Sequence, residues 1–209
     1  MIRDKDISLK LAKLLGIDYE TFSKASTGYT GNGIEILKNT AKAISYIRKN
    51  NIDIWVSKYG AAHIASWLTR KKSIAFIDDD IELVPLVAWT SFPFAKKIIA
   101  PEVTRTGRFD KKTIRFKGNF ELFYLHPKRF APDTAIYNDL GINRNDKFAV
   151  IRLSALTAHH DIGKKGISQK LLDGVLDVVK DRMHVFITSE KPLDSKFEEF
   201  RMPIPPHKI

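Results

Sequence analysis

The chain contains no cysteine, which removes disulfides, thiolate nucleophiles and cysteine-ligated zinc. It has no run of about 18 apolar residues, the length a membrane-crossing helix needs. Its opening, Met1 to Lys10, carries charge but lacks the apolar stretch of a secretory leader. These absences make a cytoplasmic location the expectation. Nucleic-acid signatures are missing too: no zinc-finger spacing, no aromatic strand of RNA-recognition type and no basic heptad region. The glycines from Gly28 to Gly33 follow neither the G-x-G-x-x-G nor the Walker spacing, so they do not make a nucleotide loop. Internal repeats and low-complexity segments are likewise absent.

What is present is an ordinary globular composition. At 209 residues, 44% hydrophobic and 28% charged, the chain can bury one large core or two small ones. A formal charge of +11 favours an anionic partner: nucleic acid, an acidic membrane face or a phosphorylated small molecule. The cations are scattered, with knots at Arg70-Lys71-Lys72, Lys111-Lys112 and Lys164-Lys165. Without a nucleic-acid motif, no nucleic-acid partner is expected, and a peripheral membrane contact ranks above it.

Hydrophobic spacing organises the chain. Ile7, Leu11, Leu14 and Leu15 predict a helix stopped at Gly16, with no strand before it. A turn-rich patch, Thr27–Gly33, precedes a helix whose buried face is predicted as Ile34, Leu37, Ala41, Ile44 and Ile47. Strands are expected at 52–56, 73–77 and 97–100, with helices at 61–68 and 83–91 between them. This alternation with short loops predicts parallel βαβ units. Residues 113–117 and 122–125 are further extended candidates, 126–133 a connector and 134–140 a brief helix ending at Gly141. A buried-type strand through Phe148, Val150, Ile151 and Leu153 follows. Then come a polar loop, a helix capped by Ser168 with the stripe Leu171, Leu172, Val175, Leu176 and Val179, and a strand at 184–188. A second βαβ series of only two strands, and a start without a first strand, predict a piece of a longer α/β protein.

The polar loop concentrates chemistry: Ser154, Thr157, His159, His160, Asp161, Gly163, Lys164, Lys165 and Gly166. In an open parallel sheet, ligands sit beyond the carboxyl ends of the strands, where amides and helix N-termini face the crevice. Two imidazoles, a carboxylate and Lys-Lys-Gly there suit a phosphorylated ligand; the alternative is a solvated loop before a helix cap. One histidine can act as general base or donate to phosphate, and Asp161 can orient it. No metal is expected at this pair, because no third ligand stands at a recognised spacing. Ser189 and Glu190 end the next strand and are candidates for the same ligand. A second constellation, Asp78-Asp79-Asp80-Ile81-Glu82, follows a predicted strand. It suits either a hard divalent cation beside a diphosphate or the capping of the helix behind it. His63, among alanines and Ile64, reads as a satisfied helix residue rather than a ligand.

Several blocks together resemble an uncharacterised glycosyltransferase-like family known as domain of unknown function 354. They are Ser73–Phe76 with its acidic loop, Phe94–Pro101, Lys117–Pro127, His159–Gly163, Ser189-Glu190 and Pro203–Pro206. The resemblance spans most of the chain. It implies two Rossmann-like parallel-sheet domains of GT-B type, as in many nucleotide-sugar glycosyltransferases and in UDP-N-acetylglucosamine 2-epimerases. Residues 1–118 would be an acceptor-side domain lacking its first strand, 119–145 a connector, and 146–209 the start of a truncated donor-side domain. The implied substrate is a nucleotide sugar, UDP-linked, with no separate cofactor. The implied catalytic residues are His159, His160 and Asp161. Ser154, Gly163, Lys164, Ser189 and Glu190 would hold the donor, while Asp78, Asp79, Asp80, Glu82 and Glu121 would line the acceptor side. Pro203–Lys208 resembles a loop near the nucleotide base. Two departures stand out. Phe120 precedes Glu121 where the family often has histidine, and the glycine- and acid-rich donor segment that would follow residue 209 is not in the chain. Catalysis by these 209 residues alone is therefore not expected. Two other readings remain open: a metal-dependent glycosyltransferase using Asp78–Asp80, and a non-catalytic domain that binds anionic surfaces.

Overall fold

Residues 1–4, 8–24, 28–154 and 166–205 are described by a computed structural model. The chain divides into two compact units, Met1–Arg129 and Phe130–Ile209. Both are α/β with parallel sheets.

The first unit opens on a short strand, β1 (Ile2–Asp4), rather than on a helix, and α1 (Ser8–Leu14) follows. A strand that apolar spacing did not reveal, β2 (Thr21–Lys24), pairs parallel with β1. It carries one large apolar side chain, Phe22, too few for an alternation to register. The patch expected to be a turn at 27–33 belongs mostly to a long helix, α2 (Gly28–Lys49).

The main sheet holds β3 (Ile54–Ser57), β4 (Lys72–Phe76), β5 (Lys97–Pro101) and β6 (Thr113–Phe116), in that order and all parallel. Between them run α3 (Gly60–Leu68) and α4 (Pro85–Thr90). The register puts Ala75 beside Ile98, and these two pack with Ala100, Ala88 and Phe92 into one buried cluster. A second cluster joins Phe22 of β2 to Ala43 and Ile47 of α2 and Ala65 of α3. Gly60 explains how closely α3 and α4 approach: a Cβ there would lie 2.3 Å from Thr90 Oγ1 and 3.1 Å from the Thr90 backbone carbon. The other face of the sheet leaves Ile54, Val56 and Ile114 exposed.

Residues 122–125, expected to be extended, instead form a single helical turn, α5 (Leu122–Leu125). The reason lies just upstream. Gly118 has φ +104, which turns the chain back on itself. Phe120 and Phe123 then fold onto the sheet, with ring centroids 5.5 Å (Phe120 to Phe76) and 5.6 Å (Phe123 to Phe116) apart.

In the second unit, α6 (Ile136–Leu140) leads to β7 (Phe148–Leu153), α7 (Gln169–Val179), β8 (His184–Ser189) and a 3-10 turn at Ser195–Phe200. Alternation along β8 sends Val185 and Ile187 to one face, where they meet Leu172, Leu176 and Phe197. It sends Phe186 to the other face, against Ile142, Met202 and Ile204. Ile136, Tyr137 and Leu140 of α6 pack on that second cluster. The buried stripe of α7 is narrower than expected: Leu172 and Leu176 are buried, whereas Leu171 and Val175 are exposed.

Candidate functional site

β7 and β8 end together, with Leu153 registered against Ser189. Their carboxyl ends and the start of α7 bound a cavity of about 530 Å3, lined in part by Ser154, Gly166, Gln169, Ser189 and Lys191 over a floor of Leu172 and Phe197. Ser168 caps α7 as its sequence position predicts, its Oγ accepting from the Leu171 amide at 3.2 Å. Helix geometry leaves the Gln169 and Lys170 amides without an acceptor inside the helix, and the helix dipole adds partial positive charge at the same place. Asp194 also lines the cavity, but its carboxylate is taken up by Gln169 Nε2 at 2.8 Å and by the Lys196 amide at 3.2 Å. This rim suits a polar, anionic group seated over an apolar base.

The structure brings Ser154, Ser189 and Glu190 to that mouth. Glu190 accepts from Arg152 Nη2 at 2.9 Å and from Ser154 Oγ at 3.5 Å, while Ser189 Oγ accepts from the Lys191 amide at 3.2 Å. Thus Glu190 orients Ser154 and Arg152 at the strand ends. His159, His160, Asp161, Gly163 and Lys164 lie outside the described residues. The described chain leaves the cavity rim at Ser154 and re-enters it at Gly166.

In the first unit the acidic loop follows β4. Asp78 pairs with Lys58 at 2.5 Å. Asp80 holds Arg105 twice, through its amide and its guanidinium, each at 2.8 Å, and Glu82 reaches the same guanidinium at 3.6 Å. Asp79 is half-buried, and its carboxylate has no partner among the described residues. The aspartates do not cap the helix behind them: α4 begins two residues later than expected, at Pro85, and its N-cap Val84 has no side-chain bond. Asp78 and Asp80 are therefore ion-pair partners that tie β3 and the 104–106 segment to the end of β4. Among the described residues no group of three histidine, cysteine, aspartate or glutamate side chains is gathered to hold a metal. Glu121 occupies the N-cap position of α5 with its side chain exposed, and Phe120 beside it lies under Lys58, 5.7 Å from Nζ to ring centroid.

One polar cluster escaped the sequence reading. Arg3 of β1 makes a two-point ion pair with Glu35 of α2, at 2.6 and 2.7 Å. Ser23 of β2 donates to Glu35 at 2.8 Å, and Asn39 donates to Ser23 at 2.8 Å and to Tyr59 Oη at 3.0 Å. The cluster stands at the carboxyl ends of β1, β2 and β3, and Glu35 and Asn39 are buried. Burial raises the Tyr59 pKa, with the Asn39 bond working against it. A signal was available: Asn32, Glu35 and Asn39 recur at helical spacing on the face of α2 that continues into Ala43 and Ile47.

His63 is confirmed as a core residue. It is fully buried, and its Nε2–H donates to the Ser57 carbonyl at 3.1 Å. A carbonyl can only accept, so the proton sits on Nε2, and Nδ1 has no partner among the described residues.

No protein-family model and no curated protein matches the chain. Among solved structures it is similar to a glycosyltransferase from Rickettsia africae ESF-5. The TM-score is 0.41 and the identity 12%, over 88% of this chain and 50% of that one. The chain thus spans half the length of that protein.

Proposed function

We propose that the mouth of β7 and β8 binds the diphosphate of a nucleotide sugar, UDP-linked, and that the chain serves its transfer or epimerisation. The observation that carries this reading is the cavity at the carboxyl ends of two parallel strands, with the first turn of α7 on its rim. Breaking a sugar–diphosphate bond places negative charge on the departing nucleotide, and fixed amides and cations stabilise it without further reorganisation. In this reading Gly163, Lys164, Ser154 and Ser189 hold the diphosphate. His160 or His159 moves the proton, Asp161 orients the imidazole, and Glu190 positions Ser154. Asp79 and Glu121 contribute polar groups toward an acceptor, with Asp78, Asp80 and Glu82 as the supporting ion pairs.

A thermal-shift titration with UDP, UDP-sugars and the matching ADP compounds tests it. UDP-sugars should raise the melting temperature, by an amount equivalent to about 2.7 kcal/mol at a hundred times Kd and still growing with the logarithm of concentration beyond it. A Ser154→Trp change, filling the cavity rim, should abolish the shift. Where turnover is measured, His160→Ala or Asp161→Ala should lower it ~10-fold or more; unchanged kinetics in both would remove the loop from the mechanism. Turnover should also survive a chelator. Loss on chelation and recovery with manganese would return the role to Asp78–Asp80.

A further inference from the structure

In a parallel sheet all strands start at one edge, so residues just ahead of each strand are gathered there however distant in sequence. In the first unit those residues are basic. Arg48 and Lys49 precede β3, Arg70 and Lys71 lead to Lys72 at the start of β4, and Lys96 leads to Lys97 at the start of β5. The opposite, carboxyl edge carries Asp78, Asp79, Asp80, Glu82 and Glu102. That edge also holds Lys58 and Arg105, which pair with Asp78, Asp80 and Glu82, so the cations in excess lie at the strand starts. On the basic edge Asp53 pairs with Lys71 at 2.9 Å.

The same edge has a receptacle and an apolar tip. Between the ends of α2 and α3 lies a cavity of about 470 Å3, lined by Arg48, Asn51, Leu68, Arg70 and Lys71 over Ile47, with no carboxylate among its lining residues. Next to it Trp67 and Leu68 are 59% and 52% exposed, and the Trp67 ring meets Phe94 at 5.5 Å. Cations at helix C-termini answer the helix dipoles, which accounts for Arg48 and Arg70. It does not account for the lysines that open β4 and β5, nor for an indole and a leucine left in water.

We propose that this edge docks the protein on an anionic lipid bilayer. Trp67 and Leu68 seat at headgroup depth, the surrounding lysines and arginines reach lipid phosphates, and one headgroup occupies the cavity. An exposed indole and leucine beside a cavity lined by arginine and lysine match an interface that is apolar on one side and negatively charged on the other. Among the described residues no helix is long and apolar enough to cross a membrane. The inference is independent of the sugar-nucleotide reading.

The test is sedimentation of the whole chain with phosphatidylcholine vesicles, alone or mixed equally with phosphatidylglycerol. Binding should require the anionic lipid, weaken with salt and blue-shift tryptophan emission, and Trp67→Ala should remove the shift. The triple change Arg70→Gln, Lys71→Gln and Lys97→Gln should lower the partition coefficient ~100-fold. The charge-matched triple Lys24→Gln, Lys38→Gln and Lys117→Gln, away from the strand starts, should leave it nearly unchanged. Both triples should melt as the parent does. Equal binding to neutral vesicles, equal losses in the two triples, displacement by inorganic phosphate, or tighter capture of duplex RNA by the same edge would each overturn the proposal.

Discussion

His63 is placed by α3 and then silenced by its surroundings. Burial lowers its pKa to about 4; the bond to the Ser57 carbonyl opposes this and the nearby Lys112 charge reinforces it. Because the folded value lies below the ordinary 6.5, the folded protein binds this proton less readily than the unfolded chain does. Stability is therefore complete above pH 6.5 and falls as the pH drops toward 4, by about 3 kcal/mol across that window. Urea unfolding at stepped pH measures it, and His63→Gln should flatten the slope between those limits. An unchanged slope would place the titration on another group. The Arg3–Glu35 pair gives a second residue-level expectation. The Glu35 side chain is 3% exposed and accepts from Arg3, Ser23 and Asn39, so Glu35→Ala removes the buried carboxylate that all three share. The loss should be about 3 kcal/mol by chemical denaturation. A loss under about 1 kcal/mol, the level of a surface pair, would show that the network is not buried in solution.

At the scale of elements, apolar spacing located most helices and strands, since α3, β4, β5 and β8 bury alternating or periodic apolar faces. β7 stands where the pattern put it, but it is not the buried strand expected, because Phe148 and Val150 are exposed and only Ile151 and Leu153 pack on the α7 side. It misjudged α2. Ile34 and Leu37, expected in the core, are 56% and 73% exposed, while Asn32, Glu35, Asn39 and Thr40 are buried in their place. The first half of α2 lies over the ends of β1, β2 and β3, where hydrogen bonds rather than apolar burial hold it, and hydrophobic periodicity carries no trace of that. Strand β2 was hidden for a related reason, being recognisable only through its pairing with β1. In the candidate site, the serine cap of α7 and the strand-end positions of Ser154 and Ser189 were legible from local pattern. The pairing of Glu190 with Arg152 was not, because it depends on strand register. Two element-scale changes probe these arguments. Ser168→Ala should cost about 1 kcal/mol by removing the α7 cap, with Ser168→Asp close to neutral. Gly60→Ala should cost more than a typical helix substitution gains, because its methyl group meets Thr90, and Thr90→Ser should not restore it, since Oγ1 remains the nearest atom.

Across the molecule, the parallel topology does two things with one device. It gathers the strand starts of the first unit into a basic edge, and it opens the strand ends of the second unit onto a polar cavity. A net charge of +11 would raise the local concentration of any anionic ligand, so its association should slow as salt rises while the site's own selectivity persists. The central claim is that the β7–β8 mouth holds a nucleotide-sugar diphosphate, and amide chemical-shift mapping during a UDP-sugar titration tests it most directly. The account predicts saturable shifts concentrated at Ser154, Gly166, Gln169, Lys170 and Ser189, with the distant Asp146–Lys147 end of the same unit unmoved. Shifts confined to the strand starts, or none at all at saturating ligand, would contradict it.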